Sequence, residues 1–401
     1  MRTVLRLTFL LPLIFLVFVA LPLGAEVFIQ CPGDVTGDGI SDDSNIVCIQ
    51  LTAGDGFVTM ADGTPMYVFG FNDVTGVPAD MIMDEGMLAA NFSAPLITAK
   101  EGQQVYLSLT NVGMTMRPDL FDPHTVHFHG FPNAAPVFDG EPFASIAIVM
   151  GSTLTYYYNI VFPGTYMYHC HVEAVEHMQM GMLGSLFMRP IQDDNAGLKD
   201  LGIQPPLNQP FEGFAYNDGD GSTGYHVAYP LQIASFDPLF HAADEEIQPL
   251  AFAKMRDVYP MLNGRGYPDT INPNPLAPPI LPDGSTGKAS QKISSLITAT
   301  SGQKILLRIS SLSTTSFHTL SALGIPMKVV GRDARLLRGP TGNNLYYDTN
   351  SITLGGGQSA DVILDTTNVS AGTYFLYVTN LDHLNNDAEE YGGMMTEIVI
   401  N

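Results

Sequence analysis

The chain has 401 residues, enough for two domains, with an ordinary apolar share of 45%. Forty acidic residues face 17 basic ones, a formal net charge of −23. That balance argues against a nucleic-acid or anionic-membrane partner, which needs clustered Lys and Arg, and favours solubility and cationic partners.

The N-terminus reads as an export signal. Arg2 and Arg6 lead into the apolar run "LTFLLPLIFLVFVALPLGA", which ends in small residues at Ala25. Pro12 and the Gly24-Ala25 end favour cleavage over a retained anchor. No other stretch is long and apolar enough to span a bilayer. The expected location is periplasmic, cell-surface or extracellular.

Residues 26–51 form a small acidic segment. Cys31 and Cys48 are expected to pair in an oxidising compartment. Between them, "DVTGDGISDDSN" resembles a calcium loop of the EF-hand or dockerin kind. Asp34, Thr36, Asp38 and Asp42 take the first, third, fifth and ninth places, with Gly39 at the sixth. The expectation is calcium and a disulfide together stapling a segment without its own core.

From residue 52 the chain repeats itself. "LITAKEGQQVYLSLTN" (96–111) returns as "LITATSGQKILLRISS" (296–311), and "HTVHFHGF" (124–131) as "HTLSALGI" (318–325). "GTYMYHCH" (164–171) returns as "GTYFLYVT" (372–379). Alternating apolar and polar runs rich in Val, Ile, Thr, Tyr and Phe predict antiparallel β-sandwiches. Domain 1 is expected over 52–190 and domain 2 over 207–401, joined by a Pro-rich linker at 191–206.

Six of the ten histidines fall in "HTVHFHGF" and "HCHVEAVEHMQMGM". Side chains alternate between the faces of a strand. His127, His129, His169 and His171 therefore share one face, and His124 and Cys170 the other. Cys170, His177 and Met182 follow one another in a single loop. With His124 they offer one thiolate, two imidazoles and a thioether, the donor set of a blue-copper site. Domain 2 keeps His318 opposite His124, but carries Tyr377, Val378 and Thr379 opposite His169, Cys170 and His171.

These motifs resemble those of the multicopper oxidases, laccases included, and of the related copper nitrite reductases. "HTVHFHG" is similar to the family's His-x-x-His-x-His-Gly, and "HCHVEAVEHMQMGM" to its His-Cys-His…His…Met. The resemblance implies an all-β protein of two tandem cupredoxin-like, Greek-key domains. It implies type 1 copper at His124, Cys170, His177 and Met182. It also implies half of a type 2/type 3 copper cluster at His127, His129, His169 and His171. Two-domain relatives form homotrimers in which domain 2 of a neighbour completes that cluster. In this chain domain 2 offers no His-x-His pair. By resemblance to the nitrite reductases, His318 would be catalytic and His383 would lie near a copper-ligand position. The implied function is an exported copper oxidoreductase. It would take single electrons from a small molecule, metal ion or redox protein and reduce O2. The alternatives are nitrite reduction, or a blue-copper carrier or copper-binding surface protein without catalysis.

Overall fold

The computed structural model describes residues 27–205 and 207–401. The expected export signal lies outside them. Among the described residues no helix is long and apolar enough to cross a membrane.

The first half folds as eight strands: β1 (Ile46–Thr59), β2 (Pro65–Asp73), β3 (Ala94–Lys100), β4 (Gln104–Gly113), β5 (His127–His129), β6 (Thr153–Asn159), β7 (Gly164–His169) and β8 (Leu183–Arg189). They form two four-stranded sheets, ordered β2-β1-β4-β6 and β3-β8-β7-β5. The inner faces carry Leu51, Leu107, Leu109, Phe71, Tyr156, Tyr168 and Leu186, all but inaccessible to solvent. Sheet-on-sheet burial of this kind is the main source of stability in a sandwich.

The second half repeats this order. Tyr259–Leu262, Val227–Phe236, Lys304–Ser311 and Gln358–Asp365 lie side by side as β2-β1-β4-β6 do. Ile297–Ala299, Met395–Ile400, Gly372–Val378 and His318–Ala322 match β3-β8-β7-β5.

The sheets are not purely antiparallel, as alternation alone predicts. β1 runs parallel to β4 and β3 parallel to β8, and the same two parallel pairs recur in the second half. The chain crosses from one sheet to the other between these strands, so it re-enters each sheet from the same end. Strand β1 begins at Ile46, before the expected start of the first domain. Cys48 on that strand is disulfide-bonded to Cys31, which ties the acidic segment to the sheet.

The halves meet over a buried polar seam. The Asp361 carboxylate accepts from Thr165 Oγ1 at 2.5 Å and from Tyr216 OH at 2.5 Å, and Arg308 Nη1 approaches it at 3.4 Å. Phe92 packs on Phe236 with ring centroids 4.3 Å apart. Arg117 of the first half pairs with Asp244 of the second at 2.9 Å.

Candidate metal centre

Strand β7 delivers the centre of the site. Its last residue is His169, and Cys170 follows in extended continuation. His127 on β5 is the direct cross-strand partner of His169, and His129 that of Met167. Cross-strand neighbours lie close enough for their side chains to meet. Beyond Cys170, the one-turn helix Ala174–Gln179 carries His177 back over the sulfur. Cys170 N–H donates to Met182 O at 3.2 Å and Met182 N–H to His177 O at 2.8 Å, which closes the loop.

On one face lie His124, Cys170 and His177, all fully buried, with their ligand atoms within 4.8 Å of one another. His177 Nδ1 is 3.2 Å from Cys170 Sγ and His124 Nδ1 is 3.9 Å away. Thr125 N–H donates to the sulfur at 3.4 Å. His177 Nε2–H donates to Asp122 Oδ2 at 3.3 Å, which fixes the ring with Nδ1 turned toward the sulfur. His124 Nε2 is buried without a partner among the described residues. Its Nδ1 faces the Cys170 sulfur at 3.9 Å, so a cation placed between them would give this buried nitrogen a partner. Met182 is also fully buried in the surrounding core. Thiolate, two imidazoles and an adjacent thioether fit copper in both softness and number.

On the opposite face His127, His129 and His169 bring ligand atoms within 4.8 Å. His127 Nδ1–H donates to Asp139 O at 2.6 Å and His169 Nδ1–H to Cys170 O at 2.8 Å. Both Nε2 atoms are left as lone-pair donors, the outer-shell arrangement metal-binding histidines use. His169 Nε2 faces His129 Nδ1 at 3.3 Å. His171 completes the patch, its ring centroid 5.0 Å from that of His127. Its backbone N–H donates to Thr125 Oγ1, so Thr125 touches both faces.

Burial and neighbouring groups shift two of these imidazoles in opposite directions. It pushes His169 down to about 3, so this imidazole is neutral. Burial also opposes charge on His177, but the Cys170 sulfur and Asp122 outweigh it and raise that group to about 10.

Other predicted residues lie apart from these sets. His318 and His383 contact each other, Nδ1 to Nδ1 at 3.1 Å, and belong to none of the three metal-competent groups among the described residues. Nor do Asp34, Asp38 and Asp42. Asp34 accepts from the Gly37, Asp38 and Gly39 amides, Asp38 from Ile40 and Asp42 from Val35. The two other histidines are engaged by backbone groups. His226 joins Gly202 O to Lys304 N–H, and His241 is buried between Tyr67 O and Gln179 O. Sequence reading missed Asp122 and Thr125. Asp122 was accessible in principle, since it shares strand parity with His124.

Fold and donor sets define a copper protein with two cupredoxin-like domains. Residues 77–193 match a family model described as multicopper oxidase, and residues 259–397 match a second of that description. The chain belongs to the multicopper oxidase family and is a copper oxidoreductase. No curated protein matches it significantly. Among solved structures, a blue copper oxidase from Nitrosomonas europaea is 21% identical, TM-score 0.61, over 88% of this chain and 85% of that one. The multicopper oxidase mgLAC is 19% identical, TM-score 0.60, over 88% and 85%. A copper nitrite reductase from Nitrosomonas europaea is 16% identical, TM-score 0.55, over 88% and 93%. At these identities the likeness is one of fold.

Proposed function

We propose that the protein is an exported oxidase that passes single electrons from a donor to O2. Type 1 copper would be held by His124, Cys170, His177 and Met182, and the O2-reducing copper by His127, His129, His169 and His171. The observation that carries this reading is the position of Cys170. It is buried against His124 and His177 on one face, its chain neighbour His169 belongs to the other cluster, and the ring of His171 packs on those of His127 and His169. When bound, copper supplies the one-electron chemistry. The protein excludes water from Cys170 and His124, and fixes the His127 and His169 tautomers through carbonyl acceptors. Asp122 holds the outer proton of His177, so its inner nitrogen stays a ligand.

His129 also meets domain 2 of its own chain. A Cβ at Gly357 would sit 2.9 Å from His129 Nε2, so the backbone of this domain 2 turn lies against that imidazole. Domain 2 therefore shapes this centre with backbone where it lacks imidazoles. A homotrimer would bring a neighbouring domain 2 to the open side.

The test is to load the signal-free protein with copper, count metal per chain, and record absorption and EPR spectra with O2 uptake. An intense blue band, three or more coppers and O2 consumption are expected. One copper with a blue band and no O2 uptake would reduce the protein to an electron carrier. Two coppers with nitrite turnover would favour the nitrite alternative. No blue band would sink the type 1 assignment.

A further inference from the structure

Domain 2 holds a second copy of the copper loop, with the cysteine removed. The backbone identifies it. In domain 1 Cys170 N–H donates to Met182 O at 3.2 Å, and Met182 N–H to His177 O at 2.8 Å. In domain 2 Val378 N–H donates to Met394 O at 3.0 Å, and Met394 N–H to His383 O at 2.9 Å. Val378 thus stands for Cys170, Met394 for Met182 and His383 for His177. The repeat already sets His318 opposite His124. The imidazole pairs match as well. Ring centroids of His124 and His177 are 5.0 Å apart at 55°, and those of His318 and His383 are 4.8 Å apart at 47°.

Three of four ligand positions therefore survive. Val378 and Met394 are fully buried, and His318 is 1% exposed. The two Nδ1 atoms face each other at 3.1 Å. Two metal–nitrogen bonds of about 2.0 Å at a tetrahedral angle put their nitrogens about 3.3 Å apart. The outer nitrogen of His318 is engaged, its Nε2 lying 3.2 Å from Ser313 Oγ. This is the outer-shell arrangement of the domain 1 ligands. A cavity of about 500 Å³ lined by Asp257, Asp382, Asp387 and His383 opens beside the pair. It offers a cation an acidic way in.

We propose that His318, His383 and Met394 bind a cuprous ion in domain 2, at a colourless site distinct from both clusters of domain 1. Two imidazoles and a thioether suit soft Cu(I). Without a thiolate the site has no blue chromophore, and Met is an unexpected ligand for zinc. The assignment rests on the type 1 reading of domain 1, because the ligand positions are transferred from it.

The test uses the full signal-free chain, loaded anaerobically with Cu(I) against a competing chelator, then reoxidised. His383→Ala is expected to bind one copper fewer than the parent with the same blue absorbance. Met394→Leu should weaken that one equivalent by more than about 100-fold, beyond the loss typical of an outer-shell change. Val378→Cys restores the missing ligand and should add a second blue centre, with a second EPR signal. Equal copper counts in parent, His383→Ala and Met394→Leu, with the blue band intact, overturn the proposal. So does a folded Val378→Cys protein with a single blue centre, or retention of Zn(II) in place of Cu(I). Absence of any blue band in the parent instead removes the domain 1 reading, so the two failures are distinguishable.

Discussion

Two corresponding loops differ at the residues that carry the chemistry. At the end of β7 stand His169, Cys170 and His171. At the end of Gly372–Val378 stand Tyr377, Val378 and Thr379, on an equivalent backbone. The backbone hydrogen bonds and the imidazole pair survive in both. Scaffold and side-chain set are thus separable: strand order and loop closure hold an imidazole pair in place whether or not a cysteine stands beside it. The same contrast appears among buried acids. Asp361 lies between Thr165, Tyr216 and Arg308, whereas Asp55 accepts from neutral donors, among them Tyr67 OH at 3.0 Å and Met116 N–H at 2.7 Å.

The largest effect is expected from removing what domain 2 lacks. Cys170→Ser should abolish the blue band and electron entry, while far-UV circular dichroism stays unchanged. His127→Ala or His169→Ala should keep the blue band, lower the copper count, and cut O2 uptake by at least about 100-fold. A ligand should cost more than the 10- to 100-fold typical of outer-shell changes. Equal copper counts would break the division into two clusters. Asp361→Asn removes the charge facing Arg308 at the seam. It should destabilise the protein by about 3–5 kcal/mol in urea unfolding, with copper content kept. Gly357→Ala places a methyl group against His129 and forces a positive φ of 84° on a residue with a side chain. Metal affinity of the histidine patch should fall about tenfold while the blue band holds.

The smallest effect concerns pH. Burial raises the Asp55 carboxyl above its ordinary value of 3.8, against its hydrogen bonds. A raised folded value means that the folded state holds the proton more tightly. This contribution is complete below about pH 3.8 and is lost as pH rises through the raised value. Asp55→Asn should flatten that part of the stability profile in thermal melts. An unchanged slope would show that another group sets it.

Much of the site was legible because metal chemistry is written in residue type and strand parity. Cys170 lies between two histidines, and alternation alone sorted His124 and Cys170 from the other four. The structure keeps that division. His383 was read less well. Linear comparison set it near Asn380 and a nitrite-reductase ligand position. Loop closure instead sets it opposite His177, because one-turn helices and loops of unequal length absorb the difference in spacing. Met394 escaped for the same reason, and in a core any methionine reads as packing.

By itself the sequence determined the duplication, the β-class, the two histidine-rich clusters and the copper chemistry of the family they resemble. These depend on local period and on donor-atom type, which neighbours in the chain reveal. Only the tertiary structure decided the parallel strand pairs, the Asp122 contact on His177, the closure of Gly357 over His129, and the match of Val378 and Met394 to ligand positions. Each of these joins residues far apart in the chain, or compares loops of unequal length. Chain position carries no distance there until the sheets have packed.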